Sequence, residues 1–378
     1  MVRLLLLTVS MSLFSGTTMA DDPTTQRIYF GTYTARGSEG IYVAELDGTG
    51  KLSEPRLAAK VANPSFLALH PNKKWLYAVS EVETTEGKKG GGVTAFRINE
   101  SDGTLSKINS QLTGGGAPCH LSLDKTGKCV MVANYSGGSV NALPIKEDGS
   151  LGEAASFVQH TGKSIDKQRQ EGPHAHSINV SPDNRFAFAA DLGTDEIRIY
   201  RLDAAHAKLT PHQTVQTPAG GGPRHFAFHP NGRFAYSNNE MTSSVTTYRY
   251  DEASFDATTG MLKQLETVST LPGEVKGNST AEVKVHPTGK FVYVSNRGHN
   301  SIAIFAVKEN GSLEPLGHAS TGGKTPRNFN LCGNFLLAAN QDTGNVVVFR
   351  IDEKTGGLTP TGSSIKVPMP VCVLPIPR

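Results

Sequence analysis

The amino-acid sequence predicts an all-β chain that folds as a seven-bladed β-propeller, with the ring closed by the C-terminal strand. Two observations support this prediction. One phrase of turn and strand residues returns seven times, and the chain ends in a segment that can supply a strand missing from the first phrase. Gly and Pro, at 40 and 21 of 378 residues, provide the many turns that such a fold needs. No stretch shows the apolar periodicity of a long amphipathic helix.

The repeated phrase begins with a turn such as His-Pro-Asn-Gly-Lys and continues as an apolar strand with an aromatic residue, a polar turn and another apolar strand. The aligned residues that end the seven phrases are Tyr33, Glu81, Tyr135, Leu192, Glu240, Arg297 and Gln341. Their spacings lie between 44 and 57 residues, with a mean of about 51. A period of about 40 to 50 residues that carries four short strands indicates a β-propeller blade.

One blade illustrates the order of its elements. Val, Phe, Tyr and Thr dominate the apolar runs, as expected of strands, and a Pro-Asn-Gly turn separates the first two runs. We predict an inner strand, a second, a third and an outer strand over Arg224–Phe228, Phe234–Asn238, Ser244–Tyr250 and Met261–Thr267.

The two ends of the chain complete the ring. The segment Pro368–Pro375 resembles Asn63–His70, which is the predicted inner strand before the second phrase. The first phrase has no such strand in front of it. The C-terminal segment is therefore expected to be the inner strand of the first blade, which removes the free edge of the sheet. We predict one domain over residues 21–378.

The first twenty residues are typical of a secretory signal peptide. A short basic start, Met1–Arg3, precedes the apolar stretch Leu4–Phe14 and a small-residue site, Thr18–Ala20. We expect cleavage after Ala20 and export to the periplasm or the medium. No apolar run approaches the roughly 20 residues of a membrane span, so none is expected.

Charge and cysteine content exclude other classes of protein. The net charge is +3 without a long basic run, which gives no electrostatic basis for binding nucleic acid. Export permits disulfides, but the four cysteines, Cys119, Cys129, Cys332 and Cys372, show no zinc-type spacing. Cys119 and Cys129 are predicted at opposite ends of one hairpin, which is too far apart for a bond.

Polar residues cluster where the predicted strands meet one face of the ring. In an antiparallel blade, the start of the inner strand and the end of the second strand lie on the same face, so these residues converge on one mouth of the central channel. Equivalent positions hold different charged residues, which blade packing does not require, so we predict a ligand site there. The residues are His120, His174, His176, Arg224, His225, Glu282 and Arg327 at inner-strand starts, and Glu81, Asn134, Glu240, Arg297 and Gln341 at second-strand ends.

A metal site is one alternative for this mouth, because His174 and His176 with Glu81, Glu240 or Glu282 offer suitable ligands. The arginines of the same mouth better suit a carboxylate, phosphate or oxyanion, so we expect neither a metal nor another cofactor. The single tryptophan, Trp75, excludes the repeated tryptophans of WD-type or quinoprotein blades. The sequence also lacks a GxSxG nucleophile motif.

Several phrases together resemble the seven-bladed propeller lactonase family, among them NPSFLALHP, GGGAPCHLSLD, VANYSGGSV, GPHAHSINVSPD, GGGPRHFAFHPNGRFAY, TAEVKVHPTGKFVYVSNRGHNSIAIF and PRNFNL. The family includes the propeller type of 6-phosphogluconolactonase and, more distantly, the fungal 3-carboxy-cis,cis-muconate lactonizing enzyme. The resemblance covers essentially the whole chain after the leader. Through these phrases, the proposed active-site residues of the muconate enzyme correspond to His176, Arg224, Glu240 and Arg297.

The resemblance implies an enzyme that hydrolyses a sugar lactone, such as 6-phosphogluconolactone, to the acid. We expect the protein to be a monomer. Glu240 (or Glu282) is the expected general base on water, while Arg224 and Arg297 stabilise the oxyanion or bind a substrate carboxylate or phosphate. His176 is expected to orient the substrate or to protonate the leaving alkoxide. The remaining residues are expected to contact substrate, namely His120, His174, His225, Glu282, Arg327, Asn134 and Gln341.

Two other functions fit the same sequence. An exported propeller without catalysis could use the mouth to hold an anionic ligand or a protein partner. A cycloisomerase of the muconate type would turn over an unsaturated diacid without hydrolytic water. Since phosphogluconolactone belongs to cytosolic sugar metabolism, an exported member is also expected to meet a different lactone or a different environment.

Overall fold

The computed structural model describes residues 25–85, 87–251 and 261–377, and this part of the chain is almost entirely β-structure. Its thirty strands, in chain order, are β1 Gln26–Thr32, β2 Gly40–Leu46, β3 Arg56–Lys60, β4 Leu67–Leu69, β5 Trp75–Ser80, β6 Thr84–Thr85, β7 Lys88–Lys89, β8 Gly92–Ile98, β9 Leu105–Leu112, β10 Pro118–Leu123, β11 Cys129–Asn134, β12 Ser139–Pro144, β13 Ser156–Gln159, β14 Ala175–Val180, β15 Phe186–Asp191, β16 Glu196–Asp203, β17 Lys208–Gln216, β18 Pro223–Phe228, β19 Phe234–Asn239, β20 Ser244–Tyr250, β21 Leu262–Ser269, β22 Ser279–Val285, β23 Phe291–Arg297, β24 Ser301–Val307, β25 Leu313–Ser320, β26 Pro326–Cys332, β27 Phe335–Asn340, β28 Asn345–Ile351, β29 Leu358–Lys366 and β30 Pro370–Pro375.

Seven four-stranded antiparallel sheets form the blades of the predicted propeller. From the inner to the outer strand, blade 1 is β30-β1-β2-β3, blade 2 is β4-β5-β8-β9, blade 3 is β10-β11-β12-β13, blade 4 is β14-β15-β16-β17, blade 5 is β18-β19-β20-β21, blade 6 is β22-β23-β24-β25 and blade 7 is β26-β27-β28-β29. The small hairpin β6-β7 is inserted between the second and third strands of blade 2. The predicted strands of blade 5 lie within one or two residues of the observed ones.

Helical structure is minimal. A single 3-10 turn, Ala204–His206, lies between β16 and β17 in the described part of the chain. Across residues 25–85, 87–251 and 261–377, no helix has the length and hydrophobicity to cross a membrane. The predicted leader, residues 1–20, lies outside the described residues, and so does its boundary with the propeller.

The ring closes as the sequence predicts. The C-terminal strand β30 pairs antiparallel with β1, with Ile28 opposite Pro375 and Phe30 opposite Val373. Blade 1 therefore combines the two ends of the chain. The predicted separation of Cys119 and Cys129 is also confirmed, because all four cysteines are buried and unbonded to one another.

Seven hydrophobic clusters hold the blades together, one at each junction between neighbouring blades. The cluster between blades 7 and 1 contains Ile28, Phe30, Leu337 and Val373, all at most 1% exposed. These side chains alternate along their strands with residues that face the other neighbour, so every blade is apolar on both faces. Burial on both faces explains why the sequence phrase contains continuous apolar runs rather than a simple alternation.

The repeated aromatic and histidine residues connect neighbouring blades by hydrogen bonds. In four blades, a tyrosine of the second strand donates its hydroxyl to a glycine carbonyl of the next blade, at 2.8 to 3.0 Å: Tyr29 to Gly103, Tyr77 to Gly149, Tyr236 to Gly311 and Tyr293 to Gly356. The histidines of two His-Pro-Asn turns, His70 and His229, bond in the same way to Gly127 and Gly289. His70 and His229 are therefore structural residues.

Closure by the last strand can be tested with Val373→Ala. The substitution leaves a cavity in the cluster between blades 7 and 1, so we expect a loss of about 2 to 3 kcal/mol in the free energy of unfolding. Urea denaturation followed by fluorescence measures this loss. Leu316→Ala is the control, since that leucine is 48% exposed and its removal is expected to change stability by no more than about 0.5 kcal/mol. Equal stability of the two variants would show that β30 is not docked in solution.

Candidate active site at the channel mouth

Backbone bulges at the starts of the inner strands aim the polar side chains into the channel. The register between the inner and second strands shifts within Ala175–Ser177 in blade 4, Pro223–Phe226 in blade 5, Thr280–Val283 in blade 6 and Pro326–Asn328 in blade 7. The polar residues inside these bulges are His176, Arg224, His225, Glu282 and Arg327. A bulge re-aims side chains and is common beside active sites. Five of the seven predicted inner-strand site residues are thus bulge residues.

The carboxylate of Glu240 is the centre of the polar group at the mouth. Its Oε2 atom lies 2.8 Å from Nη1 of Arg224 and 3.0 Å from Nη2 of Arg297. Its Oε1 atom accepts a hydrogen bond of 2.8 Å from Nη2 of Arg169. We call Arg169, His176, Arg224, Glu240 and Arg297 the mouth cluster. Four of the five members are the residues that the family resemblance selects.

Two arginines of the mouth cluster are fixed by the backbone of blade 6. Nε of Arg224 donates to the carbonyl of Ala281 at 2.8 Å, and Nη2 of Arg297 donates to the carbonyl of Thr280, also at 2.8 Å. The Nε atom of Arg297 is buried and has no hydrogen-bond partner among the described residues. A buried N–H group without a partner is available to donate a hydrogen bond to a bound ligand.

Histidine 176 is a hydrogen-bond acceptor in this arrangement. Its Nε2 atom contacts Nη1 of Arg224, which can only donate, so the lone pair of Nε2 faces the guanidinium. Its Nδ1 atom lies 3.6 Å from Sγ of Cys119. Burial, reinforced by the charge of Arg224, lowers the pKa of His176 well below its ordinary value, so the ring is neutral at pH 7. The neutral ring positions Arg224 without adding charge.

The arginines decide the ionisation of Glu240. Burial alone raises the pKa of a carboxyl group, but the charges of Arg297 and Arg224 outweigh it and hold the pKa of Glu240 well below its usual value. Burial likewise lowers the pKa of Arg297 to about 10, against the opposing charge of Glu240. Glu240 is therefore an ionised carboxylate at neutral pH.

A second polar group stands at the same mouth, formed by Tyr33, Glu81 and Arg327. The hydroxyl of Tyr33 donates to the carboxylate of Glu81, at 3.0 Å to the nearer oxygen, and accepts from Nη2 of Arg327 at 2.9 Å. The guanidinium also lies over the tyrosine ring, 5.3 Å from its centroid. Burial raises the pKa of Tyr33, which keeps its hydroxyl protonated.

Other predicted site residues lie deeper, along the inner strands. Nδ1 of His225 is 3.0 Å from Oε1 of Glu282, and Nδ2 of Asn328 donates to Oε2. His120 accepts from the backbone N–H of Ile178 at 3.3 Å and packs on the ring of Phe66. We call His120, His225, Glu282 and Asn328 the deep cluster. His120 and Asn328 also line a cavity of about 460 Å³ at the opposite mouth.

Glu282 has its oxygens engaged within the protein. Oε1 also accepts from the N–H of Val283 at 3.0 Å, and Lys284 lies 3.7 Å away. Burial raises its pKa, but the charges of His225 and Lys284 reverse the effect and lower the pKa to about 2. The contacts of Glu282 therefore favour a structural role, because partners within the protein already occupy both carboxylate oxygens.

The remaining predicted residues differ in what they contact. His174 stacks on Tyr135 with ring centroids 4.7 Å apart and is partly buried at the rim. Gln341 directly follows the second strand of blade 7, and its buried Oε1 has no hydrogen-bond partner among the described residues. Asn134 instead is completely buried and its Nδ2 donates to Oγ of Ser139 at 3.1 Å, which fastens the hairpin of blade 3.

Sequence reasoning did not select three residues that belong to the mouth: Tyr33, Tyr135 and Arg169. The hydroxyl of Tyr135 accepts from Nη2 of Arg169 at 3.1 Å. A signal for the two tyrosines was present, because both stand in the aligned position that holds Glu81, Glu240, Arg297 and Gln341 in other blades. Arg169 lies between strands, outside the repeat, and no periodic pattern marks it.

The metal alternative has no support in this geometry. Among residues 25–85, 87–251 and 261–377, no group of three or more His, Cys, Asp or Glu side chains is placed to hold a metal ion. Guanidinium groups occupy the positions around Glu240 that a cation would need. The arrangement favours an anionic or oxyanionic ligand.

The chain as a whole, from β1 to β30, matches a known family of propeller proteins. A profile of the family described as "Lactonase, 7-bladed beta-propeller" matches residues 27–375. The chain therefore belongs to the seven-bladed β-propeller lactonase family, as the motifs predict.

Named relatives agree with this assignment. The chain is 41% identical over 350 residues to a 6-phosphogluconolactonase of Bacillus subtilis, covering 91% of this chain and 97% of the relative. It is 38% identical over 344 residues to a 6-phosphogluconolactonase of Formosa agariphila, covering 88% and 94%. The solved structure of a periplasmic gluconolactonase of Pseudomonas aeruginosa superimposes with a TM-score of 0.86 at 33% identity, covering 93% of this chain and 99% of that one.

The buried anion of the deep cluster gives a testable pH dependence. The pKa of Glu282 is lowered from 4.5 to about 2, so its stabilising contribution is complete above pH 4.5 and is lost as the pH falls toward 2. We expect Glu282→Gln to lose about 3 kcal/mol in the free energy of unfolding at pH 7, which is the free energy that corresponds to the lowered pKa of Glu282. The difference in free energy of unfolding between Glu282→Gln and the parent protein should become smaller as the pH falls from 4.5 to 2.

Urea midpoints of both proteins at pH 7, 4 and 3 measure this trend. Glu309→Gln, at an exposed position, is the control and should show no deficit at any pH. A deficit in Glu282→Gln that stays constant down to pH 3 would contradict the assigned ionisation of Glu282.

Proposed function

We propose that this protein is a lactone hydrolase that opens 6-phosphogluconolactone or a related aldonolactone to the acid at the mouth cluster. The observation that carries the proposal is one ionised carboxylate, Glu240, shared between the buried Arg224 and the partly buried Arg297 inside a lactonase-family channel. Such a group can bind an oxyanion and hold a base beside it. The names of the relatives from Bacillus subtilis and Formosa agariphila support the substrate class.

The arginines polarise the carbonyl of the lactone. Arg297 offers its unpaired Nε–H to the carbonyl oxygen, and Arg224 adds the positive charge of a guanidinium held by Ala281 and His176. Donors that are fixed before the reaction need no reorganisation when negative charge develops, which is why they lower the barrier.

Glu240 takes the proton of the attacking water. In the resting site its proton affinity is low, because the guanidinium charges favour the carboxylate. As the oxyanion forms, it draws on the same guanidinium charges and Glu240 becomes a stronger base. The water oxygen bonds to the carbonyl carbon, the bond from that carbon to the ring oxygen breaks, and the proton passes from Glu240 to the ring oxygen. The acid is released.

The supporting residues have distinct roles in this scheme. His176 keeps Arg224 in place, and Tyr33, Arg327 and Gln341 provide polar contacts for the hydroxyl groups of the sugar at the same mouth. The deep cluster connects neighbouring inner strands by hydrogen bonds. It takes no proton in the reaction.

The assignment of roles can be tested with three variants. Arg297→Ala is expected to lower kcat about 100- to 1,000-fold, because it removes an oxyanion donor. Glu240→Gln is expected to lower kcat at least about 100-fold, because the amide cannot accept the proton of water. The matched control is Arg249→Ala, an exposed arginine of the blade that carries Arg224, which should retain the activity of the parent protein.

A pH-stat assay with 6-phosphogluconolactone and with unphosphorylated gluconolactone measures these rates above spontaneous hydrolysis. Full activity of Glu240→Gln combined with an inactive, folded Glu282→Gln would move the base to the deep cluster. No acid release by the parent protein with either lactone would overturn the hydrolase proposal in favour of a binding propeller or, with turnover of an unsaturated diacid, a cycloisomerase.

We also propose that the chain is exported and acts as a monomer. The leader pattern of residues 1–20 and the likeness to the periplasmic gluconolactonase of Pseudomonas aeruginosa support export. The large exposed apolar side chains of the described residues, Phe157, Ile165, Leu265 and Leu316, lie on four separate elements, which supports a monomer.

Export predicts a defined mature chain. Expression in a Gram-negative host should yield a periplasmic protein whose N-terminal residue is Asp21, because cleavage is expected after Ala20. Intact-mass measurement of the periplasmic and cytoplasmic fractions checks this result, with light scattering on the purified protein for the oligomeric state. Full-length protein confined to the cytoplasm would contradict export.

A further inference from the structure

One connection at the mouth is much longer than its equivalents. Fifteen residues separate the outer strand β13 from the next inner strand β14, whereas three to nine separate the corresponding strands at the other six junctions. We call residues 160–174 the Arg169 loop. A loop of this length at a ligand site is usually functional.

The Arg169 loop contains no strand or helix, but specific side-chain hydrogen bonds hold it in place. Gln170 is completely buried, donates from Nε2 to the carbonyl of Leu192 at 2.9 Å, and accepts at Oε1 from the N–H of Asp166 at 3.1 Å. Oγ of Ser164 donates to Oδ2 of Asp195 at 2.6 Å. The residue next to the buried Gln170 is Arg169, so this anchor fixes where the arginine emerges.

One buried carboxylate ties both ends of the loop together. Oδ2 of Asp191 accepts from Nδ1 of His160 at 2.5 Å, and Oδ1 accepts from the backbone N–H of His174 at 2.8 Å. The hydroxyl of Tyr200 bonds Nε2 of His160 at 2.7 Å, which completes the partners of the ring. Asp191, His160 and Tyr200 therefore hold the two ends of the Arg169 loop together.

Arg169 differs from the other arginines of the mouth cluster in exposure and in anchoring. Its side chain is 45% exposed, against 4% for Arg224 and 12% for Arg297. Within the described part of the chain, its guanidinium bonds only side chains, Glu240 and Tyr135, whereas the other two bond backbone carbonyls. Arg169 can leave Glu240 by rotation of one side chain.

In its present position Arg169 covers the catalytic carboxylate. It occupies Oε1 of Glu240, while Arg224 and Arg297 occupy Oε2, and Glu240 is only 4% exposed. A substrate must therefore displace Arg169. An anionic substituent offers the displaced guanidinium a new partner, and phosphate matches its planar donors in two parallel hydrogen bonds.

We propose that Arg169 is the specificity residue of the site, which exchanges its bond to Glu240 for a bond to the phosphate of a phosphorylated lactone. The proposal rests on the lactonase function proposed above. It assigns a phosphorylated aldonolactone, rather than an uncharged one, as the preferred substrate. The Arg169 loop holds the guanidinium beside Glu240 and 45% exposed, and the proposal puts the phosphate-bearing end of the sugar chain there.

The test compares kcat/KM for 6-phosphogluconolactone and for gluconolactone in the parent protein, Arg169→Gln, Arg169→Lys and Lys167→Gln. We expect the parent to prefer the phosphorylated lactone and Arg169→Gln to reduce that preference at least about tenfold, through a higher KM for the phosphorylated substrate. Arg169→Lys should restore part of the preference. Lys167→Gln removes an exposed cation from the same loop and should leave the preference unchanged.

The outcomes separate the two proposals. A parent protein inactive on both lactones overturns the proposed function, whereas an active parent whose preference is the same in Arg169→Gln overturns only the role of Arg169. Equal losses by Arg169→Gln and Lys167→Gln would indicate general attraction by positive charge and would also overturn it. Product inhibition gives an independent reading: the inhibition constant of 6-phosphogluconate should rise in Arg169→Gln and that of gluconate should change far less.

Discussion

The arrangement of the mouth depends on one charge balance. A buried carboxylate is unfavourable unless it is paired, and buried guanidinium groups are unfavourable for the same reason, so Glu240 and its arginines stabilise each other. The balance is not complete, because four guanidinium groups and two carboxylates form the two polar groups of the mouth. The remaining positive charge attracts a substrate whose negative charge increases during the reaction.

The propeller fold supplies this balance through ordinary features of its blades. Bulges turn five polar residues of four inner strands toward the channel, and the ends of the second strands add Glu81, Glu240 and Arg297. The rest of each blade packs against its two neighbours, through apolar side chains on both faces and through tyrosine hydroxyls bonded to the next blade. The ring is therefore rigid where the arginines are anchored. The connections between blades differ in length, and the Arg169 loop is the longest of those between an outer strand and the next inner strand.

Most of the architecture could be predicted because it repeats. The phrase that marks each second strand also identified the missing strand of blade 1, and Glu240 and Arg297 were found because they end such phrases. The alternation of side chains explains why two adjacent residues differ in their contacts: Asn134 bonds Ser139 within the blade, whereas Tyr135 bonds Arg169 of the mouth cluster. Bulges explain another difference, since Arg224 and His225 are neighbours in sequence but join different clusters.

Other features of the site depend on contacts that no repeat encodes. Arg169 comes from a loop without periodicity, and its position follows from the burial of Gln170. The ionisation of Glu240 depends on how many guanidinium groups contact the carboxylate, which only the folded chain determines.

The position of the last strand has a consequence for the order in which the molecule is made. Blade 1 needs residues from both ends of the chain, so the ring cannot be completed until Pro370–Pro375 has been synthesised. Until then, the apolar faces of blades 7 and 1 have no partner and β1 has an unpaired edge. An emerging chain thus stays incompletely folded until synthesis is nearly finished.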